Sequence, residues 1–81
     1  MDKSYDAGKF VGQQMLLAAA KGNWAQVVEL DNRLDPNNDS MMDGYNDGIY
    51  ETLENNTGGV DSKVLEAVIA YVDQYRNRGI N

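Results

Sequence analysis

Three interruptions constrain this chain more than anything else in it. Gly22-Asn23, Asp35-Pro36 and the run Asn55-Asn56-Thr57-Gly58-Gly59 divide it into four segments, within which apolar residues recur at i, i+3 and i+4. That recurrence is the period of a helix with one buried face, not the alternation of a strand. Pro36 has no N–H to donate and pushes Asp35 out of helical geometry, so no helix crosses it. Gly22 is a natural left-handed stop, and Asn23 with Gln26 three residues on matches a capping box.

The first segment, residues 5 to 21, places Ala7, Val11, Met15, Ala18 and Ala19 on one stripe with Phe10 and Leu17 beside it; Ser4 or Asp2 is the expected cap. The second, residues 24 to 34, carries Trp24, Val27, Val28, Leu30 and Leu34. The third, residues 41 to 54, carries Met42, Tyr45, Ile49 and Leu53 behind a cap at Asp39 or Ser40. The fourth, residues 62 to 77, turns Val64, Leu65, Val68, Ile69, Val72 and Tyr75 inward. Val60 can staple its start behind a cap at Asp61 or Ser62, Arg76 and Arg78 suit its negative end, and Gly79 closes it. Short connections favour antiparallel neighbours. The expected fold is a single all-α domain over residues 1 to 81, a small antiparallel bundle of four helices, or three if the third segment fails to form.

That third segment is the weakest, because Gly44 and Gly48 sit inside it and each costs about 1 kcal/mol relative to Ala. Their small-xxx-small spacing supports two readings. It permits close approach of another helix, or it marks a helix that frays or folds only on binding.

Short stretches resemble three families. LLAAAKGNWAQVVEL resembles the helix–turn–helix of an ankyrin repeat, and LDPNN the end of a tetratricopeptide repeat. Pro36, Met41, Met42, Tyr45 and Ile49 resemble the turn and following helix of type III secretion needle subunits. Each match covers about a quarter of the chain or less and departs from its family pattern elsewhere. What the three share is a helical hairpin, and no family membership follows.

Charge is distributed unevenly. The net charge is -6; residues 34 to 60 hold six acids (Asp35, Asp39, Asp43, Asp47, Glu51, Glu54) and no Lys or Arg, and the remaining seven acids are balanced by seven bases. With no basic patch, direct nucleic-acid binding is not expected, and the same holds for an anionic membrane surface. No apolar run approaches the ~20 residues that span a bilayer, and the N-terminus lacks an apolar leader, so the expected location is the cytoplasm. There is no Cys and no His, and Ser4, Ser40 and Ser62 all fall near expected helix starts. No ordinary nucleophile–base pair can be assembled from this set, so the chain is not expected to be an enzyme, and no cofactor is implied.

Two patterns remain as candidate sites. The window DPNNDSMMDGYN sets Asp35, Asn37, Asp39, Asp43 and Asn46 at positions 1, 3, 5, 9 and 12, near the ligand spacing of a calcium loop. Ser40 stands where such a loop wants Gly, and Asn46 cannot give a bidentate carboxylate. A linker that caps a helix explains the window better, which leaves Asp35, Asn37, Asp39 and Asp43 as a weak calcium set. The second pattern is the recurrence of acids every fourth residue, Asp39, Asp43, Asp47 and Glu51, expected to stack along one face. Like charges at this spacing destabilise a helix by about 0.2–0.5 kcal/mol per pair, so the array implies a basic partner, an inter-helix Lys or Arg, or a solvated face.

Tyr50, off the apolar stripe beside Glu51 and Glu54, has the character of an interface anchor. The expected function is therefore protein–protein binding, as an adaptor, chaperone or regulator, through Asp39, Asp43, Asp47, Tyr50, Glu51 and Glu54 toward a basic surface. The alternatives are an acidic inhibitor or nucleic-acid mimic blocking a basic protein, a weak calcium-binding helix–loop–helix, and a self-assembling subunit.

Overall fold

The computed structural model describes residues 3–80, with side chains to Arg76. Among the described residues there are four α-helices and no strand: α1 (Lys3–Ala20), α2 (Trp24–Asp31), α3 (Asp39–Glu54) and α4 (Ser62–Ile80). A 3₁₀ turn, Thr57–Gly59, joins α3 to α4. The all-α bundle expected from the apolar period is what forms.

The stops act largely as their chemistry dictates. Gly22 takes φ +76°, and Asn23 caps α2 by accepting from the Gln26 N–H at 3.3 Å. The Gln26 side chain returns to the Asn23 side-chain amide rather than to its backbone. Asn56, Gly58 and Gly59 all adopt positive φ, which breaks the chain between α3 and α4. The Asp61 carboxylate caps α4, accepting from the N–H groups of Lys63 and Val64.

Some ends differ from expectation. α2 stops at Asp31, three residues early, and Asn32 to Leu34 follow as tight turns bonded to Val28, Leu30 and Asp31. The cap of α3 is Asn38, not Asp39 or Ser40: its side-chain oxygen accepts from the Met41 N–H at 3.1 Å, and Asp39 is already helical. An Asx turn, the Asn37 N–H to the Asp35 carboxylate at 2.9 Å, moves the cap one residue upstream. Ser4 lies inside α1, where its hydroxyl accepts from the Asn38 side chain, and Asp2 falls outside the described residues. α4 continues through Gly79, and the Arg78 side chain is not among those described.

The core is built on Val11, Met15 and Leu16 of α1, with Val27 and Leu30 of α2, Ile49 of α3, Val60 just ahead of α4 and Val68 of α4 closing over them. Burying each such side chain stabilises the fold by about 1.5–3 kcal/mol. Trp24 packs against this core half-buried, its ring stacked on Tyr71 of α4 at 4.7 Å between centroids. Three residues expected inside are exposed: Ala7, Ile69 and Tyr75. The stripe of α1 is displaced from Ala7 because its buried face runs instead through Gly8, Val11, Gly12 and Met15.

The α1–α3 pair explains that displacement. A methyl placed on Gly8 would lie 1.9 Å from the Met41 carbonyl oxygen, and one on Gly44 would lie 2.0 Å from that of Tyr5. A methyl on Gly12 or Gly48 would likewise lie only 2.5 and 2.3 Å from the carbonyl oxygens of Tyr45 and Lys9. Two small-xxx-small motifs therefore face each other in register, Gly8 by Gly44 and Gly12 by Gly48, so the two helices run parallel with backbone against backbone. The arrangement follows the logic of close-packed membrane helices, in which small residues let two backbones meet, and here the approach leaves no room for even a methyl. Of the two readings of Gly44 and Gly48, close approach is the one that forms. Thr52, also buried at this seam, satisfies its hydroxyl on the Gly48 carbonyl at 2.7 Å.

Candidate interaction surface

The acids of α3 do not make a straight column. At 3.6 residues per turn, each step of four residues advances about 40° around the helix. From Asp39 to Glu51 the carboxylates therefore wind from the side away from α1 to the edge that touches it.

The two C-terminal members are held by α1. Lys9 Nζ stands 2.8 Å from Glu51 Oε2, and the Tyr5 hydroxyl donates to Asp47. These contacts hold two protons more tightly: the bond to Asp47, then burial, raises the Tyr5 phenol above its ordinary pKa, and Glu51 raises the Lys9 ammonium. The inter-helix base that the array calls for is thus Lys9. Asp39, Asp43 and Glu54 are different. All three are exposed, and no Lys or Arg among the described residues pairs with them.

Tyr50 lies on the same outward side and is 67% exposed, the most exposed large apolar side chain of the described residues. It borders a cleft of about 210 Å³, lined also by Tyr45, Asn46, Ile49, Leu65 and Ile69. A second cleft of about 190 Å³ continues along the α3–α4 seam and shares Tyr45 and Ile69 with the first. Met42 with Val72 and Arg76 lies at one end, and Tyr50 with Leu65 at the other, so α3 and α4 are antiparallel. α4 packs on α1 and α2 and stands off α3. Two ties secure it to α2: the Trp24–Tyr71 stack, and Arg76, which reaches Asp31 at 3.0 Å. Asp31 is only 8% exposed. Tyr45, between core and cleft, donates to Met15 Sδ, and burial pushes its phenol above the usual range.

A third cleft, about 210 Å³, opens between α1 and α3 by Gln13, Gln14 and Thr57, where Lys9 and Glu51 neutralise each other. The calcium window is not a loop. Asp35 engages the Asn37 N–H, residues 39 to 46 are helix, and no group of three or more acids converges to hold a metal among the described residues.

Sequence reasoning missed Gly8, Gly12, Asp31, Tyr5 and Lys9. The first two repeat the Gly44/Gly48 spacing, and Asp31 lies four residues after Val27 on the buried stripe of α2. Nothing in the sequence singles out Tyr5 or Lys9. No helix among the described residues is long and apolar enough to cross a membrane. Comparison with family models, with curated proteins and with solved structures finds no match to this chain.

Proposed function

We propose that this chain is a binding protein rather than a catalyst: an adaptor, chaperone or regulator that docks a partner with a basic surface. The docking face is the outward side of α3, with Tyr50 as anchor and Asp39, Asp43 and Glu54 as recognition charges. Asp47 and Glu51 lend it field, but their carboxylates are held by Tyr5 and Lys9.

Tyr50 carries the proposal. It is a large aromatic, 67% exposed, of a residue type enriched at interface hot spots, and it stands beside carboxylates that no cation among the described residues pairs with. Concentration of the whole net charge in residues 34 to 60 also supports a second form of the same activity, an acidic inhibitor that covers the nucleic-acid site of a basic protein. Ionic strength separates the two. A charge-driven inhibitor loses affinity steeply with salt, and an aromatic-anchored binder loses little.

The test is capture of partners from the native host on immobilised wild-type chain and on Tyr50→Ala. A partner retained by the wild type and lost by Tyr50→Ala supports the proposal. Equal capture by both contradicts it.

A further inference from the structure

We infer that the groove between α3 and α4 receives one amphipathic helix of the partner, apolar on its inner side and rich in Lys or Arg along its flanks. The inference rests on the binding reading above and names the element that would dock.

The floor of the groove is apolar: Met42, Tyr45 and Ile49 on the α3 side, Leu65, Ile69 and Val72 on the α4 side. Ile69 sits at its centre, lining both clefts, and is 54% exposed although its position on the helix is that of a core residue. From Met42 to Tyr50 the α3 wall runs about 12 Å, at 1.5 Å per residue. That length matches about two turns of a docked helix, which offers anchors at i, i+3 or i+4, and i+7. The two clefts, one on each side of the Tyr45–Ile69 ridge, take one anchor each.

Charge selects the occupant. Asp43 and Glu54 are exposed on α3, and on α4 Asp73 lines the groove itself, with Glu66 exposed seven residues before it and so on the same side of the helix. The base in the groove lining, Arg76, is engaged by Asp31. An apolar trough with acids on both rims complements a helix with basic flanks. A second copy of this chain complements it poorly, since each copy carries a net charge of -6 and would set acid against acid.

The experiment uses the full chain and a synthetic helix of about three turns built from Leu and Lys. Leu occupies i, i+3, i+4 and i+7; a control peptide has the same composition in scrambled order. Calorimetry measures affinity, and amide chemical shifts map the site on wild type, Ile69→Gln and Phe10→Gln. Phe10 is 51% exposed on α1, away from the groove, and serves as the control for non-specific apolar contact.

The patterned peptide is expected to shift Tyr45, Ile49, Tyr50 and Ile69. Scrambling, or Ile69→Gln, should weaken binding at least about tenfold, and Phe10→Gln should leave it within about twofold. Equal binding of patterned and scrambled peptides reduces the effect to bulk charge and overturns the inference. So does an Ile69→Gln chain that binds as wild type, or self-association of the wild type that Ile69→Gln abolishes, which makes the occupant a second copy. Host-partner capture keeps the two proposals apart. A partner lost with Tyr50→Ala but kept by Ile69→Gln leaves the binding reading standing without the groove.

Discussion

The two sides of α3 solve opposite problems with the same helix. Toward α1 it presents Gly44 and Gly48 and lets two backbones meet with no side chain between them. Toward α4 it presents Met42, Tyr45, Ile49 and Tyr50, and the neighbouring helix stands off. The first side is shaped for a partner already within the chain. The second is left open. Contact of carbonyl and Cα tolerates no added atom, whereas a groove walled by side chains tolerates many changes to its exposed lining. The same division runs through the charges: Glu51 and Asp47 are held on the closed side, and Asp43 and Glu54 face outward on the open one.

The largest effect expected from breaking this contrast is at the glycine seam. Ala at Gly8 or at Gly44 gains about 1 kcal/mol of helix propensity but drives a methyl into a backbone carbonyl. Overpacking against backbone, which cannot rotate away, should leave a net loss of about 2 kcal/mol at each site. In a domain of this size that is a fall of roughly 10 °C in Tm. Gly22→Ala is the matched control. Nothing lies within 4 Å of the position, so only its φ of +76° matters, and about 1 kcal/mol is expected. Equal losses at all three positions would show that close approach is not what the seam glycines provide.

A smaller effect is expected where α4 is tied down. Arg76→Met leaves the buried Asp31 carboxylate without its cation. Breaking a fully buried pair costs 3–5 kcal/mol, but the Arg76 side chain is more than half exposed, so about 1–2 kcal/mol is the expectation, read by urea unfolding. Amide exchange should accelerate in α4 more than in α1, because the α1–α3 seam does not depend on this tie.

The smallest effect is alkaline. Tyr5, Lys9 and Tyr45 all have folded-state pKa values raised above their unfolded ones. A group of that kind contributes stability that is full below its unfolded pKa and is lost as pH rises through the folded value. With unfolded values near 10, the Tm should be flat between about pH 7 and 9 and fall above about 10. Tyr5→Phe should make the fall shallower. A fall that begins near neutrality would contradict these assignments.

Much of this was legible in the residues, and the failures have physical causes. Pro36, Gly22 and the Asn55–Gly59 run mark the three breaks, because they act locally through φ and a missing donor, although α2 already ends at Asp31 and Gly79 does not end α4. Gly44 and Gly48 stand out in the sequence, yet their meaning depends on Gly8 and Gly12, thirty-six residues away. A spacing motif says that something can come close, not what does. A step of four looks like a helical repeat, so the acid array suggests one face; the drift of about 40° per step turns its ends toward different neighbours. Period alone places Ile69 in the core, and it is exposed. Periodicity locates the apolar side of a helix, and it does not say whether another helix arrives to cover it.

The division of the acids is the central claim, and two double variants test it most directly. Asp43→Asn with Glu54→Gln removes charges that no cation among the described residues pairs with. Asp47→Asn with Glu51→Gln removes the two that Tyr5 and Lys9 hold. Thermal melting and partner capture are measured on both. The first variant should melt no lower than the wild type and lose its partner. The second should melt lower, because it removes two contacts between α1 and α3, and keep its partner. A first variant that melts lower and still captures the partner would contradict the account, because the outward acids would then serve the fold and not the docking face.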